Sequence, residues 1–183
     1  MNEQRVLDAV TTLVDSSFDT ADRDDLASLT ALNASVKAYC AYIDVRIARR
    51  ANALKNTGES AGGFATVLDG NGSARDAKAA EERDRACTTV PGFEDALADG
   101  AVSAEHVDVL ARLTKGLTDD ERLEVEAASE QLLADAQGSA WNFERRLKLL
   151  IADIKSRTRP HDDVEEAERH KAASSVKRWT DTV

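Results

Sequence analysis

Proline, glycine and aromatic residues are scarce in this chain. Two prolines and nine glycines in 183 residues leave too little punctuation for an all-β fold, and long helices are favoured instead. Aromatic residues supply only 4% of the chain, so the 42% hydrophobic share rests on alanine with Leu, Val and Ile. That is the profile of Ala-rich helices with an aliphatic face. The only two cysteines, Cys40 and Cys87, are far apart and form no Cys-x-x-Cys pair. A disulfide framework is therefore not expected, and a reducing cytoplasm is the natural setting. No apolar run approaches the roughly 20 residues that a membrane span needs. The opening MNEQRVLDAV has neither the basic start nor the apolar core of a signal peptide.

Residues that do chemistry are scarce too. Of three histidines, His106 stands alone near the start of a helical pattern, where a structural or surface role outweighs metal ligation. His161 and His170 lie in an acidic tail beside Asp162, Asp163, Glu165, Glu166 and Glu168, without the tight spacing of a dedicated metal site. Gly70-Asn71-Gly72 is too short for a phosphate loop and lacks a preceding strand pattern and a Gly-Lys-Ser/Thr. Carboxylates abound, but no apolar setting singles out a pair for acid–base work. The chain is expected to hold no catalytic, metal or cofactor-binding residue.

What the chain has in quantity is acidic charge. The formal net charge is −10, a poor whole-chain footprint for a nucleic-acid binder. The charge is unevenly spread: Pro91–Gln137 holds 12 acidic and 3 basic residues, Lys37–Lys55 holds 5 basic and 1 acidic, and Ser139–Pro160 holds 6 basic and 2 acidic. Such mixtures ordinarily solvate helix faces; the alternative is a bipolar molecule with basic helices turned to an anionic partner.

Helical periodicity runs through the chain. Val6, Ala9, Val10, Leu13 and Val14 mark a short first helix, and Phe18 to Asp22 the turn after it. A long helix follows from about Asp24 to Lys55. Its stripe of Leu29, Asn33, Val36, Cys40, Ile43, Ile47, Arg50 and Leu54 alternates four and three residues apart, as a heptad seam does. The simple expectation is that this seam packs inside a bundle. The sharper one is a homodimer through Asn33, Val36, Cys40, Ile43 and Ile47. Gly58 stops the long helix, and Phe64, Ala65, Val67 and Leu68 suggest a short one before the turn at Asp69–Gly72. Ser73, with Asp76 as capping partner, starts a helix to about Cys87. Pro91-Gly92 breaks the chain, Phe93, Ala96 and Leu97 form an amphipathic turn ended by Gly100, and Ser103 caps a helix carrying Val107, Leu110 and Leu113. Thr118 and Glu121 frame a helix expected to run to about Gly138 and to bury Leu123, Ala127, Leu132 and Leu133. Ser139 caps the last, with Phe143, Leu147, Leu150, Ile151 and Ile154 in line. The sum is an all-α, multi-helix bundle with one long central helix over residues 1–160, then a charged arm or linker over 161–183.

Two basic regions are candidate DNA contacts. Gly63 to Arg85 has the layout of a helix-turn-helix, in which Ser73, Arg75, Asp76 and Lys78 would come nearest to base edges. Asp76, Glu81, Glu82 and Asp84 oppose that use, since they repel phosphate. Arg145, Lys148 and Lys155 fall on one face of the last helix, opposite its apolar stripe. With Arg46, Arg49 and Arg50 they would give nonspecific phosphate contacts.

The segment VPGFEDALADGAVSAEHVDVLARL, Val90 to Leu113, carries Pro91, Ala96-Leu97, Gly100, Ser103 and His106. It is followed by Glu130, Leu132-Leu133 and Ala136, and preceded by Ser73 and Ala77. This set resembles the domain of unknown function 222 family, also called the actinobacterial repeat-element family, from about Leu26 to Trp179. The chain departs from it at Cys87-Thr88-Thr89-Val90, where the family often has a leucine. The resemblance implies an actinobacterial or phage origin and a helical N-terminal domain. It also implies an HNH endonuclease-like domain downstream, whose His-Asn-His constellation these residues do not contain. On that basis the chain would be an accessory for DNA association or assembly. The competing reading is a stand-alone acidic helical module that binds protein, dimeric through its long helix.

Overall fold

The computed structural model describes residues 3–59, 63–64 and 72–159. Among them are eight helices and no strand: α1 (Glu3–Asp15), α2 (Arg23–Asn56), α3 (Ala74–Thr89), α4 (Gly92–Ala98), α5 (Ala104–Thr114), α6 (Asp119–Ala127), α7 (Ser129–Asp135) and α8 (Ala140–Thr158). The helix expected at Val67 and Leu68, the turn before Ser73 and the arm at 161–183 lie outside the described residues. Of the first half of the helix-turn-helix-like corner, only residues 63–64 and 72–73 are described.

Caps set the starts of the helices. Asp22 accepts from the amides of Asp24 and Asp25, so α2 begins at Arg23, one residue earlier than its periodicity suggests. Ser73 and Asp76 close a reciprocal box on α3, and Thr118 and Glu121 one on α6. Ser139 caps α8 through the Asn142 amide. Gly58, at φ +77°, ends α2 in the left-handed region that favours glycine. Gly100, at φ +71°, sits so close to α2 that a Cβ there would lie 3.2 Å from that of Ser35.

The main core joins α2, α3, α4, α5, α7 and α8 through Val45, Val90, Phe93, Leu97, Val107, Leu110, Leu132, Phe143, Leu147 and Ile154, all essentially buried. Phe93 and Phe143 meet there at a ring-centroid distance of 5.6 Å. A second, smaller cluster joins Ala48 and Ala51 of α2 to Ala77 and Ala80 of α3, closed by Phe64.

Two sequence expectations are corrected. The heptad seam is not the face that α2 buries. The buried residues are Ala38, Ala41, Val45, Ala48 and Ala51, whereas Asn33, Cys40, Ile47 and Arg50 are exposed and Leu29, Val36, Ile43 and Leu54 only half-buried. At 3.6 residues per turn the seam lies about 120° around the helix from the alanines. Small side chains let α3, α4 and α5 approach α2 closely, and the larger aliphatics are left on the outside. Nor is the Thr118–Gly138 segment one helix. It breaks at Ala128 into α6 and α7, and Leu123 and Ala127 are exposed. Glu121 and Val125, four apart, point inward, so Leu123 between them falls on the opposite side. Leu132 is buried and Leu133 half-buried, as the apolar pattern required.

Candidate functional site

The cations proposed for DNA contact divide into two groups. Arg49 is bound within the bundle: its guanidinium donates to Asp84 of α3 at 2.7 Å and, through both terminal nitrogens, to Glu94 of α4 at 2.7 and 3.1 Å. Its pKa is raised, chiefly by the Glu94 bond. Lys148 pairs with Glu144 one turn back at 2.6 Å, and Glu144 also accepts from Arg112 of α5. Those two cations hold the Glu144 carboxyl down at about 2. Similar ties run from Arg83 to Asp108, Lys115 to Glu82, Arg146 to Asp135 and Arg157 to Glu124. Much of the basic charge that the sequence offers thus serves to staple helices together. Arg46 donates to the Tyr42 hydroxyl at 3.2 Å and lies over its ring. Arg50, Arg75, Lys78, Arg145 and Lys155 are exposed. Asp76 caps α3, and its bonds to Ser73 lower its pKa.

The signature residues from Pro91 to Ala136 turn out to shape the bundle. Leu97, Leu132 and Ala136 are core, and Gly100 makes the close approach to Ser35. His106 is buried. Its Nδ1 accepts from the Ser103 amide and hydroxyl, and its Nε2 bonds the Gly138 carbonyl at 3.1 Å. Since a carbonyl can only accept, Nε2 carries the proton. His106 therefore ties the start of α5 to the loop before α8. Cys87 is buried, and burial pushes its thiol up to about 12, which leaves it inert; Cys40 is exposed on the seam. Among the described residues no group of three or more His, Cys, Asp or Glu is placed to hold a metal ion, and no helix is long and apolar enough to cross a membrane.

The uncommitted features are apolar. On α2, Ile43, Arg46, Ile47, Arg50, Ala51 and Leu54 line an open groove of about 370 Å³. Ile47 is 40% exposed. On α1, Ala9 is buried, but Leu7, Val10 and Val14 at i, i+3 and i+7 stand out, with Leu7 60% and Val14 76% exposed. Sequence periodicity put Val10 and Val14 on the packing face of α1; the structure leaves them outside. A third patch on α8 sets Trp141, 69% exposed, beside Arg145, Lys148 and Leu149. Trp141 falls on the basic face at i, i+4 and i+7 from Arg145 and Lys148, a spacing that could have revealed it.

Comparison with protein-family models, curated proteins and solved structures finds no match to this chain.

Proposed function

We propose that the chain is a noncatalytic assembly domain that holds another polypeptide helix against the outer face of α1 and α2. The observation that carries this reading is the half-buried aliphatic seam of α2, with Ile47 exposed in an open groove, next to an α1 whose Leu7, Val10 and Val14 are exposed. Contiguous apolar surface of this kind marks an interaction site, and an i, i+3, i+4, i+7 stripe is what helix-in-groove recognition uses. The resemblance to the N-terminal domain of HNH endonuclease-like proteins suits this role: such a domain would gather copies or partners around a nuclease without cutting DNA itself.

The test is the native mass of the gene product in cell extract. Ile43→Asp with Ile47→Asp should shift it from a larger assembly to its own mass. Trp141→Ala with Lys148→Ala on α8 should not. Unchanged migration of the seam variant would refute the assembly reading.

A DNA contact has one specific support, the exposed Trp141 beside Arg145 and Lys148, with Lys155 exposed farther along the same helix. An aromatic interleaved with cations suits stacking and phosphate contact together. On that reading duplex or single-stranded DNA would bind with an affinity that falls with salt and with Trp141→Ala.

A further inference from the structure

We infer that the helix held by this face is α1 of a second copy of the same chain, and that the exchange is reciprocal: α1 of each copy lies in the α2 groove of the other. This rests on the assembly reading above and names its partner.

Length is the first argument. α1 has 13 residues and α2 has 34. The turn between them folds α1 back along α2, the helix against which it chiefly packs. At 1.5 Å per residue α1 is about 20 Å long and α2 about 51 Å, so α1 can cover less than half of α2 in its own copy. The seam from Cys40 to Leu54 spans about 20 Å. That is room for one more helix of the length of α1.

Pattern is the second argument. Leu7, Val10 and Val14 form a stripe of two turns, and Ile43, Ile47 and Leu54 form the complementary one. The exposed stripe on α1 lies about 120° around the helix from Ala9, which faces the copy's own α2. One α1 can thus touch its own α2 with one side and a second α2 with the other, as helices do in a bundle.

Charge is the third. Within α1, Glu3, Asp8 and Asp15 outnumber the single Arg5, whereas Arg46 and Arg50 stand exposed on α2. Arg46 and Arg50 line the groove that an acidic α1 would enter. The same two residues disfavour direct pairing of two α2 seams. In an antiparallel pair of seams centred on residue 48, Arg46 of one copy would face Arg50 of the other. The contact therefore prefers α1 to a second α2.

The experiment is complementation between variants of the whole 183-residue chain, read as mass by sedimentation across a concentration series. The unmodified chain should approach twice its 19.8 kDa. Leu7→Asp with Val10→Asp spoils α1 as an occupant, Ile47→Asp spoils the groove, and each should sediment as a monomer. All three positions are exposed, and the helical circular dichroism of each variant should match the parent. Mixed, the two variants should recover a heterodimer, because the intact α1 of one fits the intact groove of the other. Arg46→Glu with Arg50→Glu should weaken dimerisation at least tenfold with the apolar contact untouched. A Leu7→Asp with Val10→Asp variant that still dimerises would overturn the exchange in favour of like-with-like seam pairing, and a mixture of the two variants that stays monomeric would overturn the reciprocal exchange. An unmodified chain that is monomeric at every concentration would overturn the second-copy partner. In that case, a seam-dependent mass shift in extract would still leave assembly with a different polypeptide standing.

Discussion

Replacing Arg159 by methionine is expected to cost about 3 kcal/mol of stability and to lower the melting temperature by about 10 °C. Glu121 has a wholly buried side chain, and Arg159, which is one-third exposed, reaches it from the end of α8. The guanidinium donates twice to the carboxylate, at 2.7 and 2.6 Å. The Thr118 amide adds a bond at 2.8 Å and the Thr158 hydroxyl one at 3.1 Å. Without Arg159 a buried carboxylate loses its counter-charge, and that loss outweighs the net value of the pair when intact. The double change Glu121→Leu with Arg159→Met should therefore recover much of the loss, although the Thr118 amide is then left without its acceptor. The same site predicts a pH dependence. The bonds from Arg159, opposed in part by burial, hold the Glu121 carboxyl at about 2, against an ordinary 4.5. A depressed carboxyl contributes its full stability above the unfolded value and loses it as pH falls toward the folded one. Urea midpoints should thus fall between about pH 5 and pH 2, and less steeply in Glu121→Gln. A flat profile in the parent chain would show that the pair is not formed.

Phe143→Ala should have the largest effect of any single substitution, about 4 kcal/mol. Its ring is fully buried, with Phe93 on one side and His106 on the other, each at a centroid distance of 5.6 Å. Truncation leaves a cavity at the junction of α4, α5 and α8, where the surrounding helices are fixed by Arg112–Glu144 and by the His106–Gly138 bond and cannot readily collapse. The imidazole also loses the ring it packs against. Phe93→Ala should be costly as well. The two changes should not add, because both remove the same ring pair. Denaturant melts of the single and double variants measure the difference directly.

Most of the helices and their starts, though not the break between α6 and α7, could be read from the sequence because caps are local. Ser73 with Asp76, Thr118 with Glu121, and Ser139 each satisfy amides within three residues, so sequence alone carries the signal. The face that α2 buries could not. Periodicity gives weight to large apolar residues, and here the seam of Leu29, Val36, Ile43, Ile47 and Leu54 is half-buried or exposed, while Ala38, Ala41, Val45, Ala48 and Ala51 form the packed face. Glu121 was visible only as a capping residue, since its second partner stands 38 positions away. Likewise the loss of Arg49 to Asp84 and Glu94 depends on separations of 35 and 45 residues. No local pattern encodes such pairings. The seam itself was legible as a heptad; that it faces outward became visible only once the alanine face was placed against α3.

Site-specific photocrosslinking from the rim of the α2 groove tests the central claim most directly. Arg50→benzoylphenylalanine places a reactive ketone beside Ile47 and Leu54 with the apolar contact left in place, and Leu149→benzoylphenylalanine on α8 serves as control. The account predicts an adduct from position 50 whose second peptide maps to one short helical segment, with Leu7–Val14 of another copy the expected match, and none from position 149. Irradiation that gives no adduct at position 50, or the same diffuse products from both positions, would contradict an assembly role for this face.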